Sequence, residues 1–268
     1  MIKRVLLGVA GPYQSLTLVQ RAIEVAGLHG AEITALVNSG ARRTLVAEAV
    51  PLGANLYAQQ LRRYRALEIE EAIARFGKEL ELACKLAGIK YRLEAESGDW
   101  LTTLASHATH HDVLLLDSNN GGDVFERGGV RQYSKLLSRG VRPIVAVGSS
   151  RRSIERVLWK YTRSADAAEA LKCFIQYRLW PQAKLRLVAA RSGERPYLER
   201  ACEFVRAHGL QVEGFLEPMD MSLSQYASLW DADLIVTGFG AKRRSVERLF
   251  PWSSWDIFGS SQHTLFVA

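Results

Sequence analysis

The stretch Asp231-Ala232-Asp233-Leu234-Ile235-Val236-Thr237-Gly238 decides the fold, because a related stretch, His111-Asp112-Val113-Leu114-Leu115-Leu116-Asp117, occurs earlier in the chain. The aspartates Asp112 and Asp233 are 121 positions apart. Each precedes a near-continuous apolar run, which is typical of a strand covered on both faces in a parallel sheet. This repeated strand predicts a duplicated α/β unit.

The repeat extends through most of the chain. Strand signals at residues 3–9 and 31–37 recur 152 positions later, at 155–161 and 183–189. Further along the offset is 121, so the first copy holds 31 extra residues between Asn38 and about Glu70. Strand and helix signals alternate in each copy, which favours an open, mostly parallel sheet with right-handed crossovers. We predict two tandem domains, residues 1–148 with the insertion at about 38–70 and residues 154–268, each with a five-stranded sheet flanked by helices.

Local signals predict where several elements begin and end. An apolar stripe containing Phe76, Leu80 and Cys84 predicts a helix that ends at Gly88, and Asp99 is the predicted N-cap of the next helix. Helices are also predicted at residues 15–28 and 165–180. The last strands of the two copies are predicted at residues 142–147 and 264–268.

The composition is that of an ordinary globular protein. The 268 residues are 48% hydrophobic and 24% charged, with a formal net charge of +7 at pH 7, which argues against disorder, collagen-like repeats or a coiled coil. The basic excess is spread over both halves, so a nucleic-acid partner is not expected. No apolar run approaches the ~20 residues of a membrane span, and no signal peptide is evident. Three scattered cysteines, Cys84, Cys173 and Cys202, fit a reducing compartment, so we expect a cytoplasmic protein without membrane insertion.

With these strands, the chain resembles the universal stress protein family in its tandem form. The resemblance rests on the opening strand of each half, the fourth strand quoted above and the distance to the last strand. It implies Rossmann-like, adenine nucleotide alpha hydrolase-like domains, many of which bind ATP or AMP. It also implies that the last strands, Ile144–Val147 and residues 265–268, pair in an intramolecular pseudo-dimer; a homodimer is left open. In the family an aspartate ends the first strand and a G-x2-G-x9-G-[S/T] loop follows the fourth.

The nucleotide motif of the family is largely missing from this chain. The aspartate position falls on Ala10 in the first half and Thr162 in the second. The loop positions fall on Asp117, Asn120, Val130 and Arg131, and on Gly238, Ala241, Pro251 and Trp252. Only Gly238 agrees. Side chains at the other positions would obstruct the close approach of a phosphate to backbone N–H groups, so we expect no cofactor, with ATP or AMP left open for the second half.

The loop after residue 238 is the best candidate ligand site. It combines glycines with three adjacent cations at the carboxyl end of a strand, where open α/β sheets bind ligands. An anionic small molecule would contact these cations, and an aromatic ring would stack on a base. A solvated basic loop is the alternative. The candidate ligand residues are Thr162, Gly238, Gly240, Lys242, Arg243, Arg244 and Trp252.

Other chemistry-bearing residues do not form a recognisable motif. His107 and His111 have the spacing of ligands on one helix face, but we predict that the helix ends by His110, which leaves structural or exposed histidines and no metal site. Cys202 lies in an apolar helix stripe as an inert thiol. No nucleophile arrangement stands out, so an enzyme is not favoured.

Three functions remain open. The leading one is a non-catalytic stress-response or regulatory protein that binds an unknown protein partner. The second is an ATP or AMP sensor that uses the loop at 238–252. The third is a basic scaffold that docks on nucleic acid or on a transporter.

The insertion also holds apolar residues that could cover the sheet or meet another subunit: Leu45, Val46, Val50, Leu52 and Leu56.

Overall fold

The computed structural model describes residues 2–10, 16–39, 55–118, 129–141, 143–161, 164–189, 192–216, 222–238 and 263–268. This part of the chain contains ten strands. In chain order they are β1 (Arg4–Val9), β2 (Glu32–Asn38), β3 (Tyr91–Glu96), β4 (Val113–Asp117), β5 (Ile144–Val147), β6 (Arg156–Lys160), β7 (Lys184–Ala189), β8 (Val212–Leu216), β9 (Leu234–Thr237) and β10 (Thr264–Val267).

Helices follow most of the strands, although β5 leads into β6 without one. They are α1 (Leu16–His29), α2 (Asn55–Ala87), α3 (Trp100–Ala108), α4 (Gly129–Ser138), α5 (Ala165–Tyr177), α6 (Arg195–Ala207) and α7 (Leu223–Leu229), with a 3₁₀ turn at Ser192–Glu194. Two predicted ends are confirmed, since Gly88 has a φ of +66° directly after α2 and the Asp99 side chain accepts a hydrogen bond from the Thr102 N–H. Helix α5 ends three residues before the prediction, because Arg178 adopts a left-handed conformation.

All ten strands form one sheet in the order β3-β2-β1-β4-β5-β10-β9-β6-β7-β8. Neighbouring strands are parallel except β5 and β10, which are antiparallel with Leu265 opposite Ala146. The α/β class, the mostly parallel sheet and the pairing of the last strands are confirmed. Two separate five-stranded sheets are not observed, because β5 and β10 hydrogen-bond to each other instead of remaining as unpaired apolar edges. The division into two domains stays a prediction.

Apolar side chains from each strand point alternately to the two faces of the sheet and form a core on each face. Leu7 and Phe174 belong to the core that α1, α2, α5 and α6 cover. Leu6, Leu104 and Tyr226 belong to the core that α3, α4 and α7 cover. Both cores contain residues from β1–β5, the first set of strands, and from β6–β10, the second set. The pairing of β5 with β10 at the centre is therefore reinforced by packing on both faces of the sheet.

Side-chain contacts also join α1 to the segments that lead into β6 and β7. The Trp180 indole N–H donates to Glu24 Oε1 at 3.0 Å, and the buried Arg21 guanidinium donates to the Arg152 carbonyl at 2.8 Å.

None of the helices in the described ranges combines the length and apolar content that a bilayer-spanning helix needs.

Candidate functional site

Gly238 follows β9 directly and lies against the first turn of α5. A Cβ added at this position would be 2.2 Å from the Asp166 carbonyl oxygen and 2.7 Å from the Ala167 nitrogen. Real Cβ atoms do not approach backbone this closely, so the position requires glycine for packing. The residue that matched the phosphate-loop pattern in the sequence therefore has a structural reason to be glycine.

The other six candidate ligand residues cannot be placed in the same way. They lie outside the described residues: Thr162, Gly240, Lys242, Arg243, Arg244 and Trp252. The structure thus locates one of the seven predicted positions, at the carboxyl end of β9 where the sequence predicted it.

In the first set of strands, Asp117 stands at the carboxyl end of β4 and is buried. Tyr133 of α4 lies close to it: burial raises the pKa of the Tyr133 phenol, and the negative charge of Asp117 raises it further. Next in the chain, the Ser118 hydroxyl donates to the Val147 carbonyl at 2.8 Å. A buried carboxylate at this edge of the sheet disfavours a phosphate there, because the two charges have the same sign.

On the α7 side of the second set of strands, an arginine fills the space between sheet and helix. The Arg186 guanidinium carbon lies 4.2 Å from the Phe215 ring centre and 4.5 Å from that of Trp230. The same group donates to Glu213 Oε1 at 2.7 Å and to the Tyr226 hydroxyl at 3.3 Å. The protein therefore holds a cation of its own here, neutralised by a carboxylate and stacked between two rings.

At the corresponding place in the first set of strands, two glutamates meet a histidine. Glu94 and Glu96 project from the same face of β3, and His107 lies on α3 above them. His107 Nε2 is 2.7 Å from Glu96 Oε1, and His107 Nδ1 is 3.4 Å from Glu94 Oε2. One ligand atom from each residue can be chosen so that all three lie within 4.8 Å of one another. The arrangement can hold a proton or a metal ion.

Sequence reasoning placed the histidines correctly along the chain but missed the glutamates. Helix α3 ends at Ala108 with Thr109 as C-cap, so His110 and His111 follow the helix as predicted. The available signal was the period-two pattern Glu94-x-Glu96 in a strand that directly precedes a helix carrying His107.

The buried cysteines show no sign of activation. Cys84 and Cys202 are buried, and desolvation raises the pKa of each thiol. A raised pKa keeps a thiol protonated and unreactive at neutral pH, as expected for Cys202.

Helix α2 has a packed end and an exposed end. Phe76, Leu80 and Cys84 are buried in the core, whereas apolar side chains in its first four turns are largely exposed. These are Leu56 (76% exposed), Tyr57 (68%), Tyr64 (62%) and Leu67 (58%). The 33-residue helix is about 50 Å long, so these exposed apolar side chains lie along an extended surface. In the sequence, residues 55–67 include three arginines and no acidic residue.

Comparison with solved structures identifies the fold. A universal stress protein from Archaeoglobus fulgidus matches 98% of this chain and 95% of its own, with 14% sequence identity and a TM-score of 0.61. A Pseudomonas aeruginosa structure assigned to the universal stress proteins matches 99% of this chain and 92% of its own, with 14% identity and a TM-score of 0.58. A protein of unknown function from the same organism has the same coverage and TM-score at 15% identity. No protein-family profile and no curated protein matches the sequence. The chain therefore has the fold of the universal stress proteins, in agreement with the resemblance stated from its residues.

Proposed function

We propose that this chain, which has the fold of the universal stress proteins, is a non-catalytic stress-response or regulatory protein built from two tandem units. It acts by binding a protein partner through the first half of α2. The observation that carries the proposal is the exposed apolar face of Leu56, Tyr57, Tyr64 and Leu67. Contiguous apolar side chains on a surface mark interaction sites. Cys84, Cys173 and Cys202 are not joined in disulfide bonds, which supports a reducing compartment such as the cytoplasm.

The chemistry of the exposed half of α2 selects the kind of partner. In the sequence, residues 55–67 contain three arginines and no carboxylate, and the exposed Arg63 directly precedes Tyr64. An acidic amphipathic helix offers both the apolar face and the opposite charge that this surface needs. The occupant we propose is therefore an acidic helical segment of another protein.

A site-specific photo-crosslinker at Tyr64 tests this proposal in cells of the source organism. We expect a heterologous product at position 64 and none at Leu86, which is even more exposed (82%) at the other end of the same helix. The triple variant Tyr57→Ser/Tyr64→Ser/Leu67→Ser should abolish capture, whereas Leu82→Ser/Leu86→Ser should not. Identical products at both positions, or a second copy of this chain as sole product, would refute the proposal. The captured partner must also present an acidic helix whose binding weakens with added salt.

An ATP or AMP sensor is the second candidate, favoured by Gly238 at the carboxyl end of β9 and by the adjacent Lys242-Arg243-Arg244. Here the nucleotide would raise the thermal midpoint, and Lys242→Ala/Arg243→Ala/Arg244→Ala would remove the rise. Arg75→Ala/Lys78→Ala/Lys90→Ala removes the same charge elsewhere and should leave the rise intact. Under the leading proposal, neither nucleotide shifts the midpoint of any variant.

A further inference from the structure

The edge strand β3 and helix α3 bring together one imidazole and two carboxylates. The side chains are only partly exposed, His107 by 20%, Glu94 by 40% and Glu96 by 46%. Both ring nitrogens of His107 face a carboxylate oxygen. We propose that Glu94, Glu96 and His107 form a binding site for a divalent first-row transition-metal ion such as Zn²⁺. The proposal is independent of the partner surface on α2.

The equivalent positions of the internal repeat differ in charge from the surroundings of Glu94. In the second set of strands, Arg186 of β7 lies opposite Glu213 of β8, and its guanidinium supplies the positive charge between sheet and helix. In the first set, Thr34 of β2 stands at the equivalent register, opposite Arg92 of β3. The cation of β7 is therefore absent from the equivalent position of β2, although Arg92 lies opposite that position on β3. One carboxylate stands where the second set has an aromatic ring, since Glu94 aligns with Phe215.

Two enclosed polar atoms near the site have no hydrogen-bond partner in the described part of the chain. One is Oγ1 of Thr34, whose side chain is 1% exposed. Alternation along β2 puts Thr34 on the same face as Leu36, which packs with Leu104 of α3. The other is Nε2 of His111, whose Nδ1 lies 2.7 Å from the His107 carbonyl oxygen. Buried polar atoms are almost always paired, so β2 and the turn after α3 each hold a polar group that lacks a hydrogen-bond partner among the described residues.

The ligand types select the class of ion. Imidazole nitrogen with two carboxylate oxygens suits Zn²⁺, Co²⁺ or Ni²⁺ better than Ca²⁺, which takes oxygen ligands only. Three protein ligands leave a position for water. The nearby cations do not occupy the site, since Arg4 and Arg92 both contact Glu32 instead. Metal–ligand distances of about 2.0–2.2 Å require the two glutamate side chains to rotate so that both carboxylates approach an ion on one ring nitrogen of His107.

Titration of the full-length, metal-stripped protein tests the site, with Zn²⁺ followed by calorimetry and Co²⁺ by absorbance. We expect one equivalent to bind. His107→Ala and Glu94→Gln/Glu96→Gln should each weaken binding by about tenfold or more, because each removes ligands. His110→Ala and Glu79→Gln remove an exposed histidine and an exposed carboxylate elsewhere and should leave the affinity unchanged. Unfolding midpoints in the absence of metal check that each variant is folded, and the Glu→Gln pair keeps the shape of both side chains.

The proposal fails if the wild type binds no stoichiometric ion. It also fails if Glu94→Gln/Glu96→Gln binds as tightly as the wild type, since the histidines alone would then hold the metal. A Co²⁺ spectrum with thiolate charge-transfer bands would assign the ion to a cysteine and equally overturn the site. Loss of binding in both site variants but in neither control would support it.

Discussion

The carboxylates of Asp112 and Asp233 each accept two backbone hydrogen bonds from the start of the neighbouring strand. Asp112 Oδ2 accepts hydrogen bonds from the N–H groups of Lys3 and Arg4 at 2.7 and 2.9 Å. Asp233 Oδ2 accepts from those of Glu155 and Arg156, both at 3.0 Å. The aspartate that marks the repeat in the sequence therefore joins β4 to β1 and β9 to β6 at their amino ends.

Replacing either aspartate should destabilise the sheet. In Asp233→Ala, two backbone N–H groups lose a charged acceptor, and we expect the free energy of unfolding to fall by about 1–3 kcal/mol. Asp112→Ala should cost a similar amount. Urea denaturation measures both values. The control is Asp231→Asn, which removes an exposed ion pair with Arg152 and keeps a residue that tolerates the φ of 57°. Because solvent screens that pair, this variant should lose clearly less stability than the other two. Equal losses in all three variants would contradict the assignment.

Gly238→Ala should destabilise the protein, whereas Gly27→Ala should stabilise it. The added methyl at 238 would overlap the backbone of Asp166 and Ala167. Overpacking of this kind typically lowers the free energy of unfolding by about 1–3 kcal/mol. At Gly27, within α1, nothing lies within 4 Å of the new Cβ, and alanine is favoured over glycine in a helix by about 0.5–1 kcal/mol. Thermal unfolding of the two variants shows directly whether each change raises or lowers the stability. A neutral Gly238→Ala would mean that β9 does not touch α5.

Glu213 should make stability depend on pH in the acid range. Burial by itself raises the pKa of this carboxyl, but hydrogen bonds and charges from Lys184 and Arg186 outweigh it and hold the pKa below the ordinary 4.5. A carboxyl with a lowered folded-state pKa contributes stability that is fully present above the unfolded-state value and is lost as the pH falls through the folded-state value. The difference in unfolding free energy between the wild type and Glu213→Gln should therefore be constant above about pH 5 and shrink below about pH 4.5.

The partner of Glu213 gives a matched pair of variants. Arg186→Met should lower the free energy of unfolding by about 2–3 kcal/mol, because it removes charge-assisted hydrogen bonds and the contacts with Phe215 and Trp230. Lys184→Met removes a half-exposed ion pair with the same carboxylate and should cost less than about 1 kcal/mol. A double-mutant cycle between residues 186 and 213 isolates their coupling. Equal effects of the two variants would argue against a stacked cation.

Phe266→Ala should weaken both sets of strands at once. Phe266 of β10 is fully buried, and its ring packs edge-to-face on Phe174 at 5.4 Å, so the cavity should cost about 3–5 kcal/mol. Because β10 pairs with β5, hydrogen exchange should accelerate in β5 and β4 as well as in β9 and β6. Faster exchange confined to the second set of strands would show that the two sets open separately.

The sequence allowed much of the fold to be predicted but little of the site chemistry. The repeat, the strand positions and the caps at Gly88 and Asp99 depend on neighbouring residues and could be predicted from local patterns. Glu94, Glu96 and His107 were not grouped, because a strand and a helix bring them together. Gly238 matches the phosphate-loop pattern and also has a packing reason to be glycine, and these two reasons look alike in a sequence.

The sequence by itself determined a duplicated α/β chain with apolar inner strands, because alternation, capping and strand burial are encoded within a few residues. The family resemblance implied that the two last strands pair, and the tertiary structure decided that β5 and β10 do so antiparallel, within one sheet of ten strands. It also decided that α5 occupies the space above Gly238 and that a histidine and two glutamates meet at the edge of the sheet. These outcomes depend on register and packing between segments far apart in the chain, and no local pattern specifies which side chains then come into contact.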